Sequence, residues 1–130
     1  MRDRPTGAEL LDLAREILRG DLLPELPAEK KFPALMIANA MAIAARQMRA
    51  GDTPAREQLA ALAALYGGPV AVSGGAVIER EVTRLYRRLA EDIRAGRFDP
   101  GTPDHAAAFD LVREQARQKV AESNPKYLSA

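Results

Sequence analysis

Apolar residues recur along most of the chain at spacings of three and four, which is the pattern of amphipathic α-helices. Thr6 and Glu9 predict the start of the first helix, because each side chain can accept a backbone N–H bond in a capping box. The apolar positions of this helix are Leu10, Leu13, Ala14, Ile17 and Leu18. The helix is expected to stop near Gly20, and a turn with two prolines follows up to Pro27.

The second predicted helix runs from Pro33 to about Arg49 and is apolar on nearly every side. Its large side chains are Leu35, Met36, Ile37, Met41, Ile43 and Met48, and they alternate with six alanines. Alanines allow neighbouring helices to approach closely. We therefore expect this helix to be buried at the centre, with the other helices packed around it.

Three further helices are predicted, each from its start and stop signals. They run from Thr53 to Tyr66, from about Ala76 to Ala95, and from Thr102 to Asn124. The fourth helix carries Ile78, Val82, Leu85, Leu89 and Ile93 on one face and charges on the other, and the fifth continues through Phe109, Val112, Ala116 and Val120. The fold class predicted is therefore all-α, a compact bundle of about five helices around a central Ala-rich helix, forming a single domain over residues 1–130.

Composition restricts the possible partners and the chemistry. The 19 Lys and Arg residues nearly balance 18 Asp and Glu residues, so the net charge of +1 favours neither nucleic acid nor a membrane. The absence of cysteine removes disulfides and thiolate metal sites, and a zinc site or a Ser-His-Asp triad would need the single histidine, His105. We predict no metal and no cofactor. With no secretory signal and no long apolar run, a cytoplasmic location is expected.

Arginines on the fourth helix are the strongest candidates for a binding surface. Arg80, Arg84, Arg87 and Arg94 share one stripe, where charge-assisted hydrogen bonds could hold a phosphate or an acidic partner. The competing interpretation is an ordinary solvated face. It rests on Glu91 and Asp92, each four residues after an arginine and therefore able to pair with it.

Three other features invite a functional interpretation. Asn39 lies in the middle of an apolar helix, so its amide is expected to bond either another part of the fold or a ligand. His105 is predicted in the first turn of a helix, where a neutral imidazole could act as a base or simply belong to the surface. The segment 67–75 holds four glycines but lacks the lysine of a phosphate-binding loop, which favours a plain connection.

Three segments together resemble a known family. They are Pro-Thr-Gly-Ala-Glu-Leu-Leu from Pro5 with the helix behind it to Leu18, Ala-Asn-Ala-Met-Ala-Ile from Ala38 within Phe32 to Met48, and the ending Asn-Pro-Lys-Tyr-Leu from Asn124. This combination is similar to small bacterial all-helical domains of unknown function, encoded beside or fused to aminoglycoside-phosphotransferase-like kinases and acyl-CoA dehydrogenases. The resemblance carries over no catalytic residues. The chain departs from the family's pattern at Pro33, Leu35 and Gln47.

Three hypotheses about function follow. The first is a non-catalytic accessory or interaction domain that works with such a kinase or dehydrogenase through the arginine stripe. The second is a module that binds an acyl, coenzyme A or nucleotide group, with Asn39 orienting it and arginines meeting its phosphates. The third is a minimal enzyme with His105 as its base. A homodimer through the Ala-rich helix also stays open.

Overall fold

The computed structural model describes residues 3–68 and 74–129, which contain five α-helices and no β-strand. The α-helices are α1 (Gly7–Ile17), α2 (Ala28–Ala50), α3 (Thr53–Tyr66), α4 (Gly75–Arg94) and α5 (His105–Ser123). A π-helical turn, Leu18–Leu22, and two 3₁₀ segments, Leu23–Glu25 and Pro125–Ser129, complete the secondary structure. The predicted all-α class is confirmed.

The chain divides into an N-terminal unit, Met1–Gly51, and a C-terminal unit, Asp52–Ala130. The prediction of a single domain over residues 1–130 stays a prediction. In the part of the chain that the structure describes, no helix is long and apolar enough to cross a membrane.

The N-terminal unit is built on α1 and α2. The predicted capping box opens α1: Glu9 N donates to Thr6 Oγ1 at 3.2 Å, and Thr6 N donates to Glu9 Oε2 at 2.7 Å. The buried residues of this unit are four alanines, Ala8 on α1 and Ala34, Ala38 and Ala45 on α2. An ion pair between Arg49 and Asp12 also joins the two helices.

Two predictions about α2 are wrong. The helix begins at Ala28, directly after Pro27, instead of at Pro33. Pro33 lies inside the second turn, where its missing N–H leaves the carbonyl of Glu29 without an intrahelical partner but does not stop the helix. The helix is also not buried on several sides. Its buried residues are alanines, whereas the larger apolar side chains of Leu35, Met36 and Ile37 are exposed. The apolar stripe of α1 is likewise exposed at Leu10, Leu13 and Ile17.

The C-terminal unit has a core of larger side chains from α3, α4, α5 and the segment before α5. The members of this core cluster are Leu59, Leu62, Ile78, Val82, Leu85, Leu89, Phe98, Ala108 and Leu111, and Ala63 of α3 is also buried. Four of the five positions predicted for α4 belong to this core, and the fifth, Ile93, is 45% exposed. Leu62, Ile78 and Leu89 are the most completely buried large side chains. The regular spacing of the α4 positions fixes which face of that helix is left outside.

The boundaries of these helices lie close to their start and stop signals. Gly67 takes a left-handed φ of +69° where α3 ends, and α4 starts and ends within one residue of its predicted bounds. Helix α5 starts later than predicted, at His105, because residues from Thr102 to Asp104 form turns. Its buried residues are Ala108 and Leu111, whereas Phe109 and Val112 are exposed.

Candidate interaction surface on α4

Helix α4 carries core residues on one side and arginines on the other. Ile78, Val82 and Leu89 are buried, whereas Arg80, Arg84 and Arg87 are exposed. Positions 80, 84, 87 and 94 are separated by four, three and seven residues, so their side chains lie along one face over about 21 Å of helix. We call these four residues, together with the adjacent Arg88, the arginine face.

Arg84 is the arginine of this face that is most completely paired. Its Nε and Nη2 donate to the two carboxylate oxygens of Glu81 at 3.0 and 2.5 Å, which is a bidentate arrangement. The hydrogen bonds from Arg84 lower the pKa of Glu81, and the same bonds raise the pKa of Arg84. The carboxylate of Glu81 and the guanidinium of Arg84 therefore pair with each other within one turn of the helix.

Arg88 is directed to the end of α4 rather than along the face. Its Nε lies 3.9 Å from Asp92 Oδ2, which confirms the predicted pairing of these two residues. The other pairing predicted, Arg87 with Glu91, is not among the ion pairs of the described residues. The guanidinium carbon of Arg88 also lies 4.0 Å from the centre of the Tyr66 ring, a cation–π contact.

Three arginines of the face have no carboxylate partner within residues 3–68 and 74–129. These are Arg80, Arg87 and Arg94. A guanidinium carries five N–H donors in a planar fork that fits a carboxylate or a phosphate. The outer side of α4 therefore presents unpaired positive charge at three points along its length.

The arginine face contains an open depression and no enclosed cavity. Its volume is about 620 Å³, and every lining residue comes from α4: Glu79, Arg80, Thr83, Arg84, Arg87, Arg88 and Glu91. A depression lined by a single helix has no opposite wall. It can accept side chains from another surface, but it cannot surround a small molecule.

A cluster at the C-terminal end of α4 was not predicted from the sequence. Tyr66 Oη donates to Asp92 Oδ2 at 2.6 Å, and Arg97 Nη1 lies 3.3 Å from the same oxygen. Burial, followed by the hydrogen bond to Asp92, raises the pKa of Tyr66 to about 12. The Tyr66 ring also meets Phe98 edge to face, with 6.3 Å between ring centres. The cluster joins the ends of α3 and α4 to the segment that follows.

His105 has a structural setting. Its Nδ1 lies 2.7 Å from the carbonyl oxygen of Phe98, which can only accept, so Nδ1 is the donor. The neighbouring ring is that of Phe109, 6.2 Å away between centres. Neither neighbour is a carboxylate or a nucleophile. This geometry supports a structural role for His105, which fixes the start of α5. It does not support a role as a general base.

The predictions for Asn39 and for the glycine segment have different outcomes. Asn39 is exposed, so the prediction of a buried amide with a specific partner is wrong, and its role in binding stays a prediction. Residues 69–73 of the glycine segment lie outside the described residues, and Gly67, Gly68, Gly74 and Gly75 lie inside them. Among the residues that are described, no cluster of His, Asp and Glu could hold a metal ion.

Comparison with known proteins shows the family of this chain. A family model described as a domain of unknown function, DUF6285, matches residues 24–127, and the chain belongs to this family. The match covers α2 to α5 and begins after α1. No curated protein sequence and no solved structure matches the chain.

Proposed function

We propose that this chain is a non-catalytic interaction domain that docks an acidic surface of a partner protein on the arginine face of α4. The observation that supports it is the position of Arg80, Arg87 and Arg94. They lie on one exposed face, lack carboxylate partners in the described structure, and are carried by a helix whose other side is buried. Each can form charge-assisted, bidentate hydrogen bonds with a carboxylate.

The shape of the face favours a protein over a small molecule. Binding sites for small molecules are concave and bury most of the ligand. The depression on α4 is lined by a single helix and is open. A protein surface with several carboxylates can meet arginines spread over about 21 Å, which a compact ligand cannot span.

The resemblance described above suggests which partners to test first. It implies a kinase related to aminoglycoside phosphotransferases or an acyl-CoA dehydrogenase, and we propose one of these as the partner. The arginine face would then contribute mainly to the rate and specificity of association, because exposed charges steer an encounter more than they tighten a complex.

The test is a charge reversal with a matched control. The variant Arg80→Glu, Arg87→Glu and Arg94→Glu is compared with Arg113→Glu, Arg117→Glu and Lys119→Glu, which changes the net charge equally on α5. Binding to a purified kinase and a purified dehydrogenase from the same organism is measured by surface plasmon resonance at several salt concentrations. We expect the α4 variant to lose at least tenfold in affinity and the α5 variant to lose far less.

Three outcomes would contradict the proposal. They are failure of the unmodified protein to bind either enzyme, equal losses for both variants, and binding that is independent of salt. A thermal-shift measurement with coenzyme A, acyl-CoA and ATP tests the small-molecule hypothesis in parallel. A rise in the melting temperature that disappears in the α4 variant would favour that hypothesis over protein docking.

A further inference from the structure

A cleft in the C-terminal unit lies between α3, α4 and α5. Its volume is about 170 Å³, and each of the three helices contributes to its lining. The polar side chains that line it are Glu57 and Gln58 of α3, Tyr86 of α4, and Glu114, Gln115 and Gln118 of α5. Because its lining comes from three helices, the cleft can contact a small molecule from several directions, which the depression on the arginine face cannot do.

The cleft is built from one face of α3 and one face of α5. Positions 57, 58 and 61 lie within about one turn of α3, and positions 111, 114, 115 and 118 lie on one side of α5. A hydrogen bond of 2.9 Å from Gln58 Nε2 to Gln118 Oε1 joins the two helices. Leu111 also belongs to the core, so the cleft rests against packed apolar side chains.

The lining of the cleft is negatively charged. It contains two carboxylates, those of Glu57 and Glu114, and no lysine, arginine or histidine. Glu57 forms no ion pair with another described residue. Glu114 pairs with Arg117, but both side chains are more than half exposed, and such surface pairs contribute little free energy. Both carboxylates are therefore available to a ligand.

The hydroxyl of Tyr86 also has no protein partner in the part of the chain that the structure describes. Tyr86 is half-buried, and its hydroxyl forms no hydrogen bond with another described residue. Burial raises the pKa of Tyr86, so the phenol is neutral at pH 7 and its oxygen can accept a hydrogen bond. Tyr66, which is half-buried in the same unit, instead donates to Asp92. Tyr86 therefore adds an unused polar group to the lining.

We propose that this cleft binds a small aliphatic amine in its protonated form. An ammonium group has three N–H donors and no acceptor, so it matches carboxylates, amide carbonyls and a phenol oxygen. Ala61 and Leu111 offer apolar surface to the hydrocarbon part of such a ligand. A bare metal ion fits less well, because no cluster of His, Asp and Glu among the described residues could hold one.

The volume of the cleft limits the size of the amine. A water molecule occupies about 30 Å³ in the liquid, so the cleft has room for about six non-hydrogen atoms. A ligand of this size makes few contacts, and we expect a dissociation constant in the millimolar range. The lining of the cleft shares no residue with the depression on the arginine face. This inference and the docking proposal can therefore fail independently.

A titration of the whole chain followed by NMR tests the site, with n-pentylamine as the probe. This amine has six non-hydrogen atoms and is protonated at pH 7, as the lysine side chain is. n-Pentanol is the control ligand, because it has the same length and no charge. We expect the amine to shift backbone amide signals of α3 and α5 beside the cleft in a saturable way, and the alcohol to bind at least fivefold more weakly. No saturable shift with the amine, or equal affinity for the alcohol, would overturn the proposal.

Two variants and a matched control identify the binding groups. Glu57→Gln and Glu114→Gln each remove one carboxylate of the cleft with little change in shape. The control is Asp110→Asn, because Asp110 lies one turn before Glu114 on α5, pairs with Arg113 three residues on, and is not part of the lining. We expect each glutamate variant to bind n-pentylamine at least threefold more weakly, and Asp110→Asn to bind it as the unmodified chain does.

Equal losses for all three variants would indicate general attraction by negative charge and would contradict a site in the cleft. Unchanged affinity of both glutamate variants would contradict it as well. All three positions are exposed, and circular dichroism confirms that each variant is folded.

Discussion

Tyr66 at the end of α3 donates its hydroxyl to Asp92 near the end of α4, with 2.6 Å between Oη and Oδ2. Asp92 also accepts from Arg97, and Arg88 stacks over the Tyr66 ring. One carboxylate therefore joins two helix ends and the segment between α4 and α5. Tyr66 and Asp92 are 26 positions apart in the sequence, and the fold brings the phenol and the carboxylate together beside Arg88 and Arg97.

Replacing Tyr66 by phenylalanine should lower the free energy of unfolding by about 1.5 kcal/mol. The ring and its contact with Arg88 remain, so the change isolates the hydrogen bond to charged Asp92. Urea unfolding at pH 7 measures the difference. Tyr127→Phe, at a tyrosine that is 76% exposed, is the control and should leave stability unchanged. Equal stability of Tyr66→Phe and the unmodified chain would contradict this account.

The raised pKa of Tyr66 predicts a loss of stability in alkali. Burial and the bond to Asp92 raise the pKa from 10.0 to about 12 in the folded state, so folding favours the neutral phenol. Its contribution is complete below pH 10 and is lost as the pH rises towards 12. Tyr66→Phe should remove this part of the pH dependence. Burial also raises the pKa of Tyr86, so in a spectrophotometric titration of the phenols the part that belongs to Tyr66 is the late ionisation that Tyr66→Phe removes.

The capping box of α1 predicts a loss of stability in acid. The backbone N–H bond from Thr6 lowers the pKa of Glu9 below its ordinary value of 4.5. A lowered pKa stabilises the fold above that ordinary value, and the contribution disappears as the pH falls through the folded-state value. Glu9→Gln should therefore flatten the acid limb of a stability profile measured by thermal unfolding. A profile with the same acid slope in both proteins would show that the box does not act in this way.

Truncating Leu62 should strongly destabilise the C-terminal unit. The side chain is fully buried among α3, α4 and α5, so Leu62→Ala removes apolar contacts and leaves a cavity. We expect a loss of about 2–5 kcal/mol in urea unfolding. Leu128→Ala, at a leucine that is 43% exposed, should cost far less. Similar losses for the two variants would mean that the core described here is not what holds this unit together.

Gly67→Ala should cost about 1 kcal/mol, because the left-handed backbone at the end of α3 is unfavourable for a residue with a Cβ. The space around Gly67 is open, so the cost is conformational and not steric. Gly68→Ala is a close control, since Gly68 lies in equally open space and lacks a positive φ. The difference in melting temperature between the two variants measures the strain. No difference would contradict the explanation.

Much of the fold followed from local patterns. The capping box at Thr6, the glycine at position 67 and the core spacing of α4 each act within one or two turns of chain, so sequence alone revealed them. The start of α2 was misjudged at Pro33, because one proline inside the second turn leaves a single carbonyl unpaired and does not stop a helix of 23 residues. The spacing of apolar residues in α5 did not reveal its buried face, which is formed by Ala108 and Leu111 and not by Phe109 and Val112.

The burial of α2 and the details of the site could not be predicted in the same way. Apolar content on every side of a helix indicates that something covers it, but not which surface does so. The arginine stripe was visible as spacing, yet which arginines remain unpaired depends on rotamers and on Glu81 and Asp92. The contact of Tyr66 with Asp92 joins two helices through residues 26 positions apart, and no local pattern in the sequence encodes it.

The core contacts of α4 have a consequence for any complex it forms. Ile78, Val82, Leu85 and Leu89 anchor three successive turns of the helix, so its backbone is already rigid before a partner arrives. An association on its outer side would then immobilise only arginine side chains, at an entropic cost of about 0.5–1.5 kcal/mol for each. The backbone of α4 would then stay unchanged on binding. Amide hydrogen exchange within α4 should be nearly as slow in the free protein as in the bound one.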